Sequence, residues 1–322
     1  MMRFAVLMLC AAAPLGAQFR QEKTIPLPGV EGRIDHLAMD VKGQRLLLSA
    51  LGTDEVEVVD IAAGKIVHKI PGMHEPQGTS YVPASNKIYV ANGKDGKLRI
   101  YDAVSYKPSG EVEFGDDADN VRYDAAHKWV WVGYADGGLS AVDIATGKRV
   151  KDIYIDGHPE SFQLEKNGTR IFANVPDARE IEVIDRMQGR ILAKWPMTEL
   201  TKNFPMALDE ANHRVIVVCR KPAKLVVIDM DSGKVLSQID CPGDSDDIFY
   251  DAARKRIYVA GGEGFLEAFA QKSADTYQSM GKIPTAEGAR TALFVPDLNR
   301  IYLAVPKKGS TPQAEVRVYS VE

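Results

Sequence analysis

Short apolar runs separated by polar turns recur along almost the whole chain. In one stretch, "DNVRYD" (119–124) leads through the turn "AAHK" to "WVWVGY" (129–134). A loop, the run "LSAVD" and a tight "IATGK" turn follow, and then another run begins. The runs are rich in Val, Ile and Tyr and are bounded by Gly, Asp and Asn, which is the pattern of β-strands. No segment sustains a helical period. The pattern repeats. Aligned on the residue that ends each third run, the chain reads "VEVVD" (Asp60), "LRIYD" (Asp102), "LSAVD" (Asp143), "IEVID" (Asp185), "LVVID" (Asp229), "LEAFA" (Ala270) and "VRVYS" (Ser320), in steps of 42, 41, 42, 44, 41 and 50 residues. A four-stranded repeat of roughly 40–45 residues is the signature of a propeller blade. The seventh unit stops after its third strand, and the segment "QFRQEKTIPLPG" (18–29) resembles the fourth strand of the first unit, "GKIVHKIPG" (64–72). The chain is therefore expected to be all-β: a seven-bladed β-propeller with four antiparallel strands per blade, closed by the N-terminal strand completing the last blade, which removes an open edge.

The stretch "VVDIAAGK" (58–65) has the Gly-Lys pair of a phosphate-binding loop, but a phosphate loop needs GxxxxGK[ST] between a strand and a helix. Here related segments recur at 141–148, 183–190 and 227–234, between the third and fourth strands of their units. The expected role is a hairpin. The Asp carboxylate accepts backbone N–H groups, and the Gly four residues later takes a positive φ. Blade six, with Ala270 in place of the Asp, and blade two, with Tyr106 in place of the Gly, are expected to be local turn variants.

The N-terminus departs from the repeat. Arg3, the apolar run "FAVLMLCAAA" (4–13) and "PLGAQ" read as a secretory signal peptide over residues 1–17, cleaved after Ala17. The apolar run is too short to span a bilayer as a helix. The rest, residues 18–322, is expected to be a single propeller domain, periplasmic or secreted, with no membrane span, and a monomer. Hydrophobic content of 45% and charged content of 26% are those of a globular protein. A net charge of −4 argues against general nucleic-acid binding.

The segments "KIYVANGKDG" (87–96), "RIYVAGGEG" (256–264) and "VVDIAAGKIVHKIPG" (58–72) resemble the YVTN-type β-propeller repeat, and the chain is similar to the exported seven-bladed YncE-like proteins over roughly residues 34–322. The resemblance is specific for fold. Similar repeats occur in surface-layer proteins, the haem d1 domain of nitrite reductases, a methylamine dehydrogenase subunit and seven-bladed lactonases, so it implies no single activity. It does imply that first strands line a central channel and that ligands bind near the axis, where loops lead into those strands.

Those approach loops are rich in ionisable and amide groups. One aligned position holds Asp35, Gln77, Asp119, Glu160, Phe204, Asp246 and Arg290; the next holds His36, Gly78, Asn120, Ser161, Pro205, Asp247 and Thr291. Asp35, His36, Asp119, Asn120, Glu160, Asn203, Asp246 and Asp247 are candidates for a polar site. His74 and His158 add nitrogen donors, and Arg33 and Arg290 are available for an anionic group. Four carboxylates at equivalent points of a ring, Asp35, Asp119, Glu160 and Asp246, either raise one another's pKa or hold a cation. Oxygen ligands suit Ca²⁺ or Mg²⁺, and the histidines keep Zn²⁺ open.

Other features read as structural. Trp129 and Trp131 share a strand face and are expected in the core. Arg220, Lys221, Lys224, Lys307 and Lys308 lie in loops expected to form a solvated rim. Cys219 and Cys241 are separated by an intervening strand, at about 9–10 Å by strand spacing, too far for a disulfide. The sequence has no CxxCH, CxxC, GxSxG or nucleotide fingerprint. The expected function is an exported binding or scaffold protein with a polar, acidic channel-mouth face, its partner a protein, peptide or small molecule. The alternative is a metal-dependent hydrolase of lactonase type, with His36 or His158 as general base and a divalent cation in the carboxylate ring.

Overall fold

The computed structural model describes residues 18–322, so the signal-peptide reading of residues 1–17 lies outside the described residues. The strands form seven separate four-stranded antiparallel sheets. In blades one to six, four consecutive strands pair in chain order; blade three, for example, contains Ala118–Asp124, Trp129–Tyr134, Gly138–Asp143 and Arg149–Tyr154. Blade seven is built from Ala292–Val295, Arg300–Val305 and Glu315–Val321, and its outer strand is the N-terminal segment Phe19–Pro26. That strand runs antiparallel to Glu315–Val321, from Phe19 opposite Val321 to Pro26 opposite Glu315. The ring is closed as the repeat predicts.

The core lies between blades rather than within them. Seven buried clusters each draw on two adjacent blades, the last joining blade seven to blade one through Ile25, Leu46, Leu48, Tyr302 and Val316. A strand buried on both faces sends alternate side chains to opposite neighbours. In blade five, Val215, Val217 and Cys219 pack toward blade four, while Ile216 and Val218 pack toward blade six. This two-sided burial is why the second and third strands read as continuous apolar runs. Trp131 is fully buried between blades three and four, with Trp129 packed partly buried in the same cluster.

The repeated hairpin behaves as its composition predicts. Gly64, Gly147, Gly189 and Gly233 have φ near +70° (67°, 67°, 68° and 72°). Each donates its N–H to the carbonyl of the Asp four residues earlier, at 2.8–2.9 Å. The carboxylates of Asp60, Asp143, Asp185 and Asp229 accept turn N–H groups. Tyr106 takes the same left-handed conformation, at φ 55°. Its ring stacks on His68 at 4.4 Å and its hydroxyl accepts from Arg45 at 2.8 Å, contacts that offset the strain of a side chain there. Blade six, lacking the Asp, makes a wider turn in which Lys272 N–H donates to Thr276 O at 2.8 Å. Cys219 and Cys241 are free thiols. Burial pushes the Cys219 thiol up to about 12.

The rim reading of the basic loops needs one correction. Lys224, Lys307 and Lys308 do sit on the periphery, paired with Asp240, Glu31 and Glu287. Arg220 does not. It is the penultimate residue of the strand Arg214–Lys221 and turns to the channel mouth, where Asp246 draws it in.

Candidate functional site at the channel mouth

The first strands of the seven blades touch one another in a closed circuit, so the loops leading into them converge on one opening. A cavity of about 380 Å³ lies there. Six of the seven residues at the aligned approach position line it: Gln77, Asp119, Glu160, Phe204, Asp246 and Arg290. In blade one Arg33 takes that place. Asp35 lies beneath it, 1% exposed, with its carboxylate 2.8 Å from the Arg33 guanidinium. Asp117, Asp136, His158, Asp177 and Arg220 complete the wall. Every lining side chain except Phe204 is ionisable or an amide.

The next aligned position acts on the neighbouring blade. Asn120 donates to Glu160 O at 2.6 Å, and Ser161 donates to Phe204 O. Thr291 donates to Ile34 O at 3.2 Å across the ring closure. Asp247 accepts from Ala292 N–H at 2.9 Å. Gly78 has no side chain because none fits: a Cβ there would lie 2.1 Å from Asp119 O. In these blades the residue at the second position fixes the backbone that presents the wall residue of the next blade. Asn120 and Asp247 are thus struts, and neither lines the mouth cavity. Ser161, Pro205 and Asp247 instead border a smaller space of about 180 Å³, together with Arg122.

The carboxylates do not form a bare ring. Asp246 is bonded by Arg220 and approached by Arg290 Nε at 3.8 Å; Asp244 takes Arg290 at 3.0 Å and Arg220 at 3.7 Å. His158 lies 3.7 Å from Asp119 and 3.6 Å from Asp117, and its Nδ1 donates to Ala135 O at 2.8 Å. His36 lies 3.7 Å from Asp35 and 3.4 Å from Asp247. Burial works against both imidazolium charges, but the facing carboxylates win, and His36 is pushed up to about 10 and His158 to about 9. Asp119 is buried too, yet His158, His36 and Arg33 hold its carboxyl below the ordinary range. Asp35 goes the other way, to about 6, because burial outweighs His36 and Arg33. Glu160 has no ion-pair partner among the described residues. Burial first and the Asp119 charge second push its carboxyl up to about 7.

Of the residues singled out from sequence, Arg33, Asp119, His158, Glu160, Asp246 and Arg290 line the cavity. Asp35, His36, Asn120 and Asp247 lie behind or below them. His74 stands apart and half-exposed, 3.6 Å from Asp95. Asn203 is fully buried, donating to Asn174 and to Glu180 O, and is part of the packing between blades four and five. Of the four carboxylates considered for a cation, Asp35, Asp119 and Asp246 face cationic side chains of the protein itself. Among the described residues, the acidic trio with oxygens within 4.8 Å of one another is Asp156, Glu180 and Glu182, away from the mouth and bridged by Lys194. Sequence reading missed Arg220, Asp117, Asp136 and Asp177 as wall residues.

Comparison with known proteins agrees with this architecture. No family model matches the chain. The protein YncE of Salmonella typhimurium is 24% identical over 234 residues, 70% of this chain, and YncE of Salmonella typhi matches equally. The chain is a seven-bladed β-propeller similar to YncE. The matched stretch spans 61% of the length of those curated relatives, which are described as uncharacterized. Among solved structures, Kuenenia stuttgartiensis hydrazine synthase superposes with a TM-score of 0.77 at 16% identity, covering 90% of this chain and 97% of that one. A chain of the mitotic checkpoint complex superposes with a TM-score of 0.79 at 12% identity, covering 100% and 98%. At such identities these two likenesses speak to the fold of the YncE-like propeller alone. No helix among its described residues is long and apolar enough to cross a membrane.

Proposed function

We propose that this YncE-like propeller is an exported binding protein, periplasmic or secreted, that holds a small polar ligand or a peptide in the cavity at the channel mouth. The observation that carries the reading is the register of the wall. One aligned position in six blades supplies polar or aromatic side chains to a single cavity of about 380 Å³, within the usual size range of small-ligand sites. The export part rests on the composition of residues 1–17. The hydrolase alternative draws less support, because a divalent cation would have to displace the arginines and histidines that already face three of its four carboxylates.

The test is a thermal-shift screen of small polar metabolites and short peptides on the wild-type protein and on Arg33→Gln. A ligand of the mouth raises the melting temperature of the wild type and loses that effect in Arg33→Gln. If every stabilising compound acts equally on both proteins, the mouth is not the binding site.

A further inference from the structure

The charges around the mouth are unevenly placed: the arginines stand with Asp35, Asp244 and Asp246, and His158 stands between Asp117 and Asp119 among the carboxylates of blades three and four. The arginines come from blade five (Arg220), the approach to blade seven (Arg290) and the approach to blade one (Arg33). Asp244 and Asp246 hold Arg220 and Arg290 side by side, and the Arg33 side chain is 49% exposed. The carboxylates Asp117, Asp119, Asp136, Glu160 and Asp177 come from blades three and four. Asp136 and Glu160 have no ion-pair or side-chain hydrogen-bond partner among the described residues. Phe204 lies in the same wall with the Arg220 guanidinium 3.7 Å from its ring centroid, a cation–π arrangement that fixes both groups.

We propose that the ligand of this mouth is zwitterionic: an amino acid or short peptide with free termini, its carboxylate on the arginine arc and its ammonium on the carboxylate arc. This deepens the binding reading and rests on it. Guanidinium groups present paired N–H donors that match a carboxylate, and free carboxylates are what an ammonium group lacks once it leaves water. A dianion satisfies the arginines and is repelled by the opposite arc; a diamine does the reverse. Only a ligand carrying both signs at its two ends uses both arcs. Phe204 offers an apolar surface between them, suited to a side chain.

The experiment is calorimetric titration of the protein with the dipeptide Ala-Phe, its N-acetyl form and its C-terminal amide, with succinate and putrescine as single-sign controls. Ala-Phe is expected to bind, and acetylation and amidation are each expected to weaken it at least tenfold. Arg33→Gln, at an exposed side chain, should reduce the penalty for amidation. Asp136→Asn, also exposed, should reduce the penalty for acetylation. Blocked dipeptides binding as tightly as the free one, a single-sign control binding more tightly, or no binding of Ala-Phe at all would each overturn the zwitterion. In those cases a control or a blocked peptide that binds and is weakened by Arg33→Gln leaves the mouth as a site for another ligand class. Binding untouched by both substitutions removes the mouth reading as well.

Discussion

Glu160 offers a quantitative test of the mouth's electrostatics. Burial, and then the charge of Asp119, raise its carboxyl from the ordinary 4.5 to about 7. At about 1.36 kcal/mol per tenfold change in proton affinity, that difference corresponds to about 3 kcal/mol between folded and unfolded states. The cavity is open to water, so this figure is a ceiling. Glu160 holds its proton more tightly in the folded protein, so its contribution to stability is full below pH about 4.5, declines above it and is lost as the pH passes about 7. Glu160→Gln mimics the protonated side chain at every pH. Urea unfolding of both proteins should give similar free energies near pH 4.5, and near pH 8.5 the variant should be more stable by up to about 3 kcal/mol. His158 also favours the folded state less as pH rises from about 6.5 through 9, but it is present in both proteins and cancels in the difference to first order. A difference independent of pH, or a variant less stable at pH 8.5, would refute the assignment of an unpaired, desolvated carboxylate at this position. An ammonium group beside Glu160 would recover what ionisation costs, so a dipeptide bound as proposed should stabilise the wild type more at pH 7.5, where Glu160 is largely ionised and the peptide amine still largely charged, than at pH 5.

Four further outcomes are expected. Ile25→Ala, at a fully buried position of the closing strand, should cost about 2–5 kcal/mol in urea unfolding, while Val67→Ala at a 47% exposed position should change little; equal effects would mean the strand contributes no packing. Gly78→Ala, whose Cβ would meet Asp119 O at 2.1 Å, should lower the melting temperature by several degrees, and an unchanged melt would contradict the close approach of blades two and three. Asp119→Asn removes the main partner of His158, so the imidazole pKa read by NMR should fall from about 9 toward 6.5, and an unmoved titration would reject the pairing. Cys219 and Cys241 should resist a thiol reagent in the folded protein and both react after unfolding without reductant; failure to react would indicate a disulfide.

The fold was legible because the chain repeats a blade-sized unit seven times, and a repeat that cannot bury its faces alone must stack. The one strand missing from the pattern, a fourth for blade seven, pointed to the N-terminal segment that contains Phe19–Pro26. The wall of the site was partly legible for the same reason. Aligning the approach loops selected a position that lines the cavity in six blades. The failures have definite causes. In blade one the wall residue is Arg33, two places before the aligned Asp35, so the register slips where the ring closes. Arg220 reaches the mouth from the end of a second strand, a part of the blade that an alignment of approach loops never inspects, and its neighbours Lys221 and Lys224 made it look like one more rim cation. Asp136 and Asp177 stand between second and third strands and escaped for the same reason. His74 and Asn203 were chosen by residue type near the right loops, but one lies outside the cavity and the other is locked into packing.

The acidic character read from sequence also changes meaning in the structure. A count of carboxylates in the approach loops cannot show that three arginines and two histidines come to meet them. Once met, those charges do not cancel uniformly. Arg220 and Arg290 are held by Asp244 and Asp246 on one side, while Asp136 and Glu160 have no ion-pair partner among the described residues on the other. The struts make this asymmetry rigid, since Asn120 positions the backbone of Glu160, Ser161 that of Phe204, and Thr291 that of the residue before Asp35. In these blades the wall group is placed by the preceding blade, so the geometry of the mouth depends on the ring being closed. The N-terminal strand, far out on the edge of blade seven, is therefore coupled to the site through the stack of blades rather than through any contact with it.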